Sequence, residues 1–103
     1  MTEIISVRFD LPAAGVDMER YLGQATAPFE WEGGWPLPQQ GFHLLSLVDV
    51  NVVGTSGNGS PQVRGIPLPH NEVDGYFFVR WVFPGATNGN EAAGDFRALF
   101  YRD

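Results

Sequence analysis

Apolar and polar residues alternate along residues 4–11, IISVRFDL, with Ile5, Val7 and Phe9 on one face. That period of two predicts a strand. The next stretch, LPAAGVDMERYLGQA, changes period: Ala14, Met18, Leu22 and Ala25 recur at helical spacing. Pro12 suits a first turn and Gly23 an end, so a helix is expected over about 12–24 despite Gly15. FHLLSLVDVNVV predicts a long strand. Strict alternation there puts Phe42, Leu44, Ser46, Val48, Val50 and Val52 on one face, and His43, Leu45, Leu47, Asp49, Asn51 and Val53 on the other.

GTSGNGS (54–60) predicts a flexible linker or hairpin tip. YFFVRWVF (76–83) predicts an aromatic strand, followed by a loop in ATNGNEAAGD. The tail FRALFYR fits two periods. Phe96, Ala98 and Phe100 would share a strand face, whereas Ala92, Phe96, Leu99 and Phe100 would share a helix face. Gly94 lies inside the helical version and favours the strand.

Two runs of 21 residues, 34–54 and 65–85, each open with G-x-P-L-P, contain a strand and close on glycine. Proline fixes φ and holds its predecessor extended, so each P-L-P should lead into its strand already stretched. Aligned without gaps, the two runs set Asp49 against Arg80. If the two strands paired in that register, the side chains would meet on one sheet face.

These elements predict one domain over 1–103 of the α+β class. The expectation is an antiparallel sheet of four or five strands with one helix packed on one face. A small all-β barrel with that helix as a plug is the alternative.

Composition narrows the chemistry. There is no cysteine, so disulfides, thiolate nucleophiles and thiolate metal sites are excluded, and a cytoplasmic protein is expected. Residues 1–10 lack a basic region followed by an apolar run, and no stretch is long enough to span a membrane. Twelve acids stand against six bases, all arginine, giving a net charge of −6. Without lysine there is no Schiff-base or phosphate-loop lysine. The acidic balance disfavours direct binding to nucleic acid or anionic membrane and favours a protein partner with a basic surface.

Nucleophilic catalysis finds no support. None of Ser6, Ser46, Ser56 and Ser60 has the context of an activated nucleophile. If the chain is an enzyme, the candidates are Asp49 or His43 as base, with Arg80 and Tyr76 as electrophilic partners; Asn51 would complete a polar pocket floor. His70, Glu72 and Asp74 alternate and would share one face of an extended strand, a weak metal-ligand set. No cofactor motif is present, and no cofactor is expected. Glu30 and Glu32 flank Trp31; an exposed edge strand with an apolar back explains the pattern without chemistry.

Aromatic residues make up 14% of the chain. Most must be core, but Trp35, in a loop-like Gly/Pro context, is the best candidate for an exposed ring. The resulting expectation is a non-enzymatic acidic binding protein that docks on or blocks a macromolecular partner, of inhibitor, immunity or anti-defence type. Its contact residues would be Glu30, Trp31, Glu32 and Trp35, with Glu72 and Asp74 as an acidic rim. The alternatives are a small-molecule isomerase, cyclase or binding protein with a pocket over the sheet, and a glycan-binding or structural virion module using Trp31 and Trp35.

Overall fold

Strands β1 (Glu3–Leu11), β7 (Ala92–Arg102) and β4 (His43–Gly54) form one antiparallel sheet in the order β1-β7-β4. Strands β2 (Met18–Tyr21), β3 (Phe29–Pro36), β6 (Tyr76–Phe83) and β5 (Arg64–Val73) form a second, in the order β2-β3-β6-β5. The computed structural model describes residues 2–11, 18–21, 29–54, 63–83 and 92–103.

The α+β expectation is therefore corrected: the described residues are all-β and contain no helix. Residues 18–21, inside the expected helix, are a strand paired with β3. The remainder of 12–24 lies outside the described residues, as do 55–60 of the linker and 86–91 of the second loop. A four-residue strand is too short to show its own period, so the spacing of flanking apolar residues carried the misreading.

Alternation in β1 is as expected. Ile5, Val7, Phe9 and Leu11 turn inward, while Ser6, Arg8 and Asp10 are exposed. The tail is a strand, with Phe96, Ala98 and Phe100 fully buried. Phe9, Phe96 and Phe100 meet Trp35, Phe77 and Trp81 of the other sheet, and these six rings join the two layers. Phe77 lies edge-on to Phe9 and to Phe100, both at 5.1 Å between centroids. Phe96 lies edge-on to Trp35 at 5.0 Å and to Trp81 at 5.3 Å. Such pairs contribute about 0.5–1.5 kcal/mol each beyond the area they bury.

Strand β4 departs from strict alternation. Its register against β7 slips by one residue between Leu44 and Ser46, and again between Val48 and Asn51. Each bulge reverses which parity faces the core. Phe42 and Leu44 point inward as expected, Leu47 replaces Ser46 and Val48, and the second bulge returns Val50 and Val52 to the core.

The two sheets meet along β4 and β5. There the Val63 N–H donates to the Val52 carbonyl at 3.4 Å, and Gly65 lets Trp81 lie directly against its backbone. The two G-x-P segments flank β6 from opposite sides, Gly34 opposing Phe78 and Gly65 opposing Trp81. Their prolines differ in role. Pro36 ends β3, whereas Pro67 and Pro69 lie within β5, which among the described strands pairs with β6 alone and so tolerates missing donors. The expected entry of both segments into equivalent strands is thus not what forms.

Two glycines carry steric demands. A Cβ on Gly65 would lie 2.6 Å from Trp81 Cζ3 and 3.1 Å from Leu47 Cδ1. Gly94 has φ +134°, and a Cβ there would collide with the Asn51 carbonyl. Gly65→Ala should cost about 1–3 kcal/mol in denaturant unfolding. Gly94→Ala should cost more, because backbone conformation and backbone collision act together. Equal stability of both variants with the parent would show that these close approaches are absent.

Candidate functional site

The side chains of the β1-β7-β4 sheet that turn away from the core form four successive bands. Register places Ile4, Tyr101 and His43 in one row, Ser6, Leu99 and Ser46 in the next, Arg8, Arg97 and Val48 in a third, and Asp10, Asp95 and Asn51 in a fourth. Leu45 sits in the first bulge beside the apolar band, and Asp49 in the second bulge beside the acidic one. Ile4 and Leu45 are 58% and 43% exposed. One sheet face therefore runs from an apolar end, across arginine, to a carboxylate end.

The carboxylate end is organised by Arg8. Its Nη2 donates to Asp95 Oδ2 at 2.8 Å and lies 3.1 Å from Asp10 Oδ1; Nε reaches the same Asp95 oxygen at 3.3 Å. Asn51 Nδ2 donates to Asp95 Oδ1 at 3.4 Å and to the Asp49 carbonyl at 3.3 Å. Asp49 has φ 51°, a left-handed conformation that aspartate tolerates better than most residues. The Arg8 hydrogen bond, followed by that from Asn51, holds the Asp95 carboxyl below its ordinary value of 3.8. In return, hydrogen bonding to Asp95 and the charges of Asp10 and Asp95 raise Arg8 further.

At the other end, Glu72 ties the two sheets together. Its Oε2 accepts the Leu44 backbone N–H at 3.0 Å, and its Oε1 lies 3.0 Å from His43 Nδ1. Pro69 begins the cause. Residues 69–72 fall between the ladder pairs Leu68–Phe78 and Val73–Tyr76, so this segment leaves β6. Freed from the ladder, it brings Glu72 to the edge of β4 and Asn71 to Glu32.

The expected catalytic set is not assembled. His43, Asp49 and Asn51 lie on β4, whereas Tyr76 and Arg80 lie on β6 in the other sheet. Strand β6 pairs with β3 and β5, so the expected Asp49–Arg80 register does not form. The carboxylate facing Arg80 is Glu32, at 3.9 Å.

The expected contact loop is also displaced. Residues Phe29–Pro36 are an interior strand between β2 and β6, not an exposed edge. Trp31 and Trp35 are 5% and 6% exposed and belong to the core. Trp35 Nε1 donates to the Asp10 carbonyl at 3.3 Å, which satisfies its only polar atom. Glu32 is buried with Arg80 and Asn71 as partners, and Glu30 is half-buried. Burial of such a charge requires these partners.

Of the acidic rim, Glu72 is committed to the sheet junction and Asp74 is exposed. Asp74 (φ 52°) and Gly75 (φ 80°) make the two-residue turn from β5 to β6. The turn ends the alternation, so His70, Glu72 and Asp74 do not share a strand face. No group of three or more potential ligands that could hold a metal occurs among the described residues. Sequence reasoning overlooked Arg8 and Asp95 as a pair. The strand reading of 4–11 put Arg8 on the outward face, but Asp95 fell at the end of ATNGNEAAGD, the stretch read as a loop.

No family model, no curated protein and no solved structure matches this chain. No helix among the described residues is long and apolar enough to cross a membrane.

Two outcomes test this geometry. Asp95 is held low by its partners, so its stabilisation is present at neutral pH and is lost as pH falls through its folded pKa. Arg8→Gln should raise the Asp95 titration midpoint followed by carboxyl NMR and reduce this acid dependence; an unmoved midpoint would break the assignment. Glu72→Ala strands the Leu44 N–H and should cost about 1.5–3 kcal/mol in chemical denaturation, with Glu72→Gln recovering part of it. Glutamine no better than alanine would mean the carboxylate is not that amide's acceptor.

Proposed function

We propose that this chain is a non-enzymatic, cytoplasmic binding protein that docks on a protein partner with a basic surface, in the manner of an inhibitor, immunity or anti-defence factor. One observation carries the reading. Arg8, Arg80 and Arg102 are each committed to carboxylates of the chain itself, while Asp49 and Asp74 remain exposed. Three of the six arginines are thus paired within the chain, and the net charge of −6 is left for the surroundings.

The contact surface is the outer face of the β1-β7-β4 sheet rather than the tryptophan strand. Its carboxylate end supplies electrostatic steering, and its apolar end supplies area that gains from being covered. Rings that would stack on sugars are absent from this face apart from Tyr101 and His43. Trp31 and Trp35 are occupied in the core.

The test is an affinity capture with purified protein against a soluble lysate, at roughly physiological and raised ionic strength, alongside Asp10→Asn/Asp49→Asn/Asp95→Asn. A discrete basic protein should be retained by the parent. It should be retained less at high salt and much less by the triple variant. A partner held equally by parent and variant, or no discrete partner, overturns the reading.

A further inference from the structure

Residues along an antiparallel strand alternately turn both backbone groups toward one neighbour and then toward the other. Three hydrogen bonds fix that parity here. Glu72 accepts the Leu44 N–H, so Leu44 faces away from β7, and its opposite residue Phe100 must face β1. The Val52 carbonyl accepts from Val63, so Val52 also faces away from β7, and its opposite residue Gly94 must face β1. The Asp10 carbonyl accepts from the Trp35 indole, so Asp10 faces away from β7 directly. All three agree: Ile4, Ser6, Arg8 and Asp10 aim their N–H and C=O groups at the outer edge of β1.

Among the described strands, β1 has only β7 as a ladder partner. Its pairing with β7 runs without a bulge from Glu3 to Leu11, and the strand contains no proline or lysine. Proline and bulges, two of the usual devices that blunt an edge, are absent from it, and its charged side chains are engaged within the sheet, Arg8 with Asp10 and Asp95 and Glu3 with Arg102. The Asp10 carbonyl is taken, so Ile4, Ser6 and Arg8 remain, offering three donors and three acceptors. The apolar cover is incomplete at the same place. Ile5 and Val7 point inward yet are only half-buried, while Phe96, Ala98 and Phe100 on the adjacent strand are fully buried.

We propose that this edge pairs antiparallel with the same edge of a second copy of the chain, with the two-fold axis passing beside Ser6. That register sets Ile4 opposite Arg8 of the second copy, Ser6 opposite Ser6, and Ile5 opposite Val7. It uses all three open residues on each copy. It also continues the apolar inner row across the axis and sets no like charges opposite one another, Arg8 facing Ile4 and Glu3 facing Phe9. Moving the axis toward Val7 requires the Asp10 carbonyl that Trp35 holds. Moving it toward Ile5 sets Arg8 against Thr2, beyond the strand. The assembly is an isologous dimer with a continuous six-stranded sheet.

Residue 6 faces its own copy, which gives a specific test. The parent should sediment at twice the 11.3 kDa of one chain. Ser6→Lys and Ser6→Glu each place like charges across the axis and should weaken the dimer roughly fivefold or more. An equimolar mixture of the two should recover the dimer as a lysine–glutamate heterodimer. Ser6 is exposed and its amide faces away from β7, so the β1–β7 ladder survives either change; circular dichroism checks this. Amide hydrogen exchange of the parent supplies a second readout, with Ile4, Ser6 and Arg8 protected only at dimer-forming concentrations. A parent that stays at one chain's mass to millimolar concentration overturns the proposal. So do a mixture that fails to reassociate, and edge amides that exchange freely within the dimer.

Discussion

The contact between the rings of Phe9, Phe96 and Phe100 and those of Trp35, Phe77 and Trp81 is the constraint on which the remaining structure depends. Each sheet alone would expose one apolar face, and each contributes three rings to covering it. Edge-on packing fixes the separation and relative rotation of the layers more tightly than aliphatic packing would. The other arrangements follow from that spacing. Gly65 must lack a side chain because Trp81 occupies the space. Ala98 is fully buried, with Val7 and Leu47 opposite it on either side.

A core made of large rings leaves polar groups with the task of closing the sides. Glu72 ends the β4 edge by accepting the Leu44 amide, and Trp35 reaches the Asp10 carbonyl on the opposite side of the sandwich. Both are side chain to backbone bonds between sheets, so neither layer can shift without losing one. Glu32 is a different case. It is a buried carboxylate on the face of β3 away from the rings, held by Arg80 and Asn71. The desolvation cost of burying such a carboxylate offsets much of what its pairing with Arg80 gains.

What could be read from the residues depended on whether local pattern and final neighbour coincide. Strand β1 and the tail were legible because uninterrupted alternation determines which side chains enter the core, and β6 because a run of aromatic and branched residues is bounded by turn signals. Strand β4 shows the expected inward face at Phe42, Leu44, Val50 and Val52 but not between its two bulges. Bulges after Leu44 and Val48 re-phase it, and no residue there announces them. Strand β3 was hidden by Gly33, Gly34 and Pro36, which signal a loop although the strand is interior. Of the site, the pairing of His43 with Glu72 was out of reach. It spans 29 positions and depends on a segment that leaves β6 after a proline. The gapless comparison of the two G-x-P-L-P runs also assigned Arg80 the wrong carboxylate, since β4 pairs with β7 in one sheet while β6 pairs with β3 and β5 in the other.

The pairing of β1 with β7 joins Glu3 to Arg102 across 99 positions. During synthesis β1 emerges long before β7, its one ladder partner among the described strands. The β5–β6 hairpin can close early around its Asp-Gly turn, but the three-ring layer on the other side must await β7. The β1-β7-β4 layer is therefore completed late, and β1 waits without its ladder until β7 follows. A cell producing this protein must keep residues 3–11 from foreign strands for that interval, which makes its vulnerable period a matter of elongation time rather than of final stability.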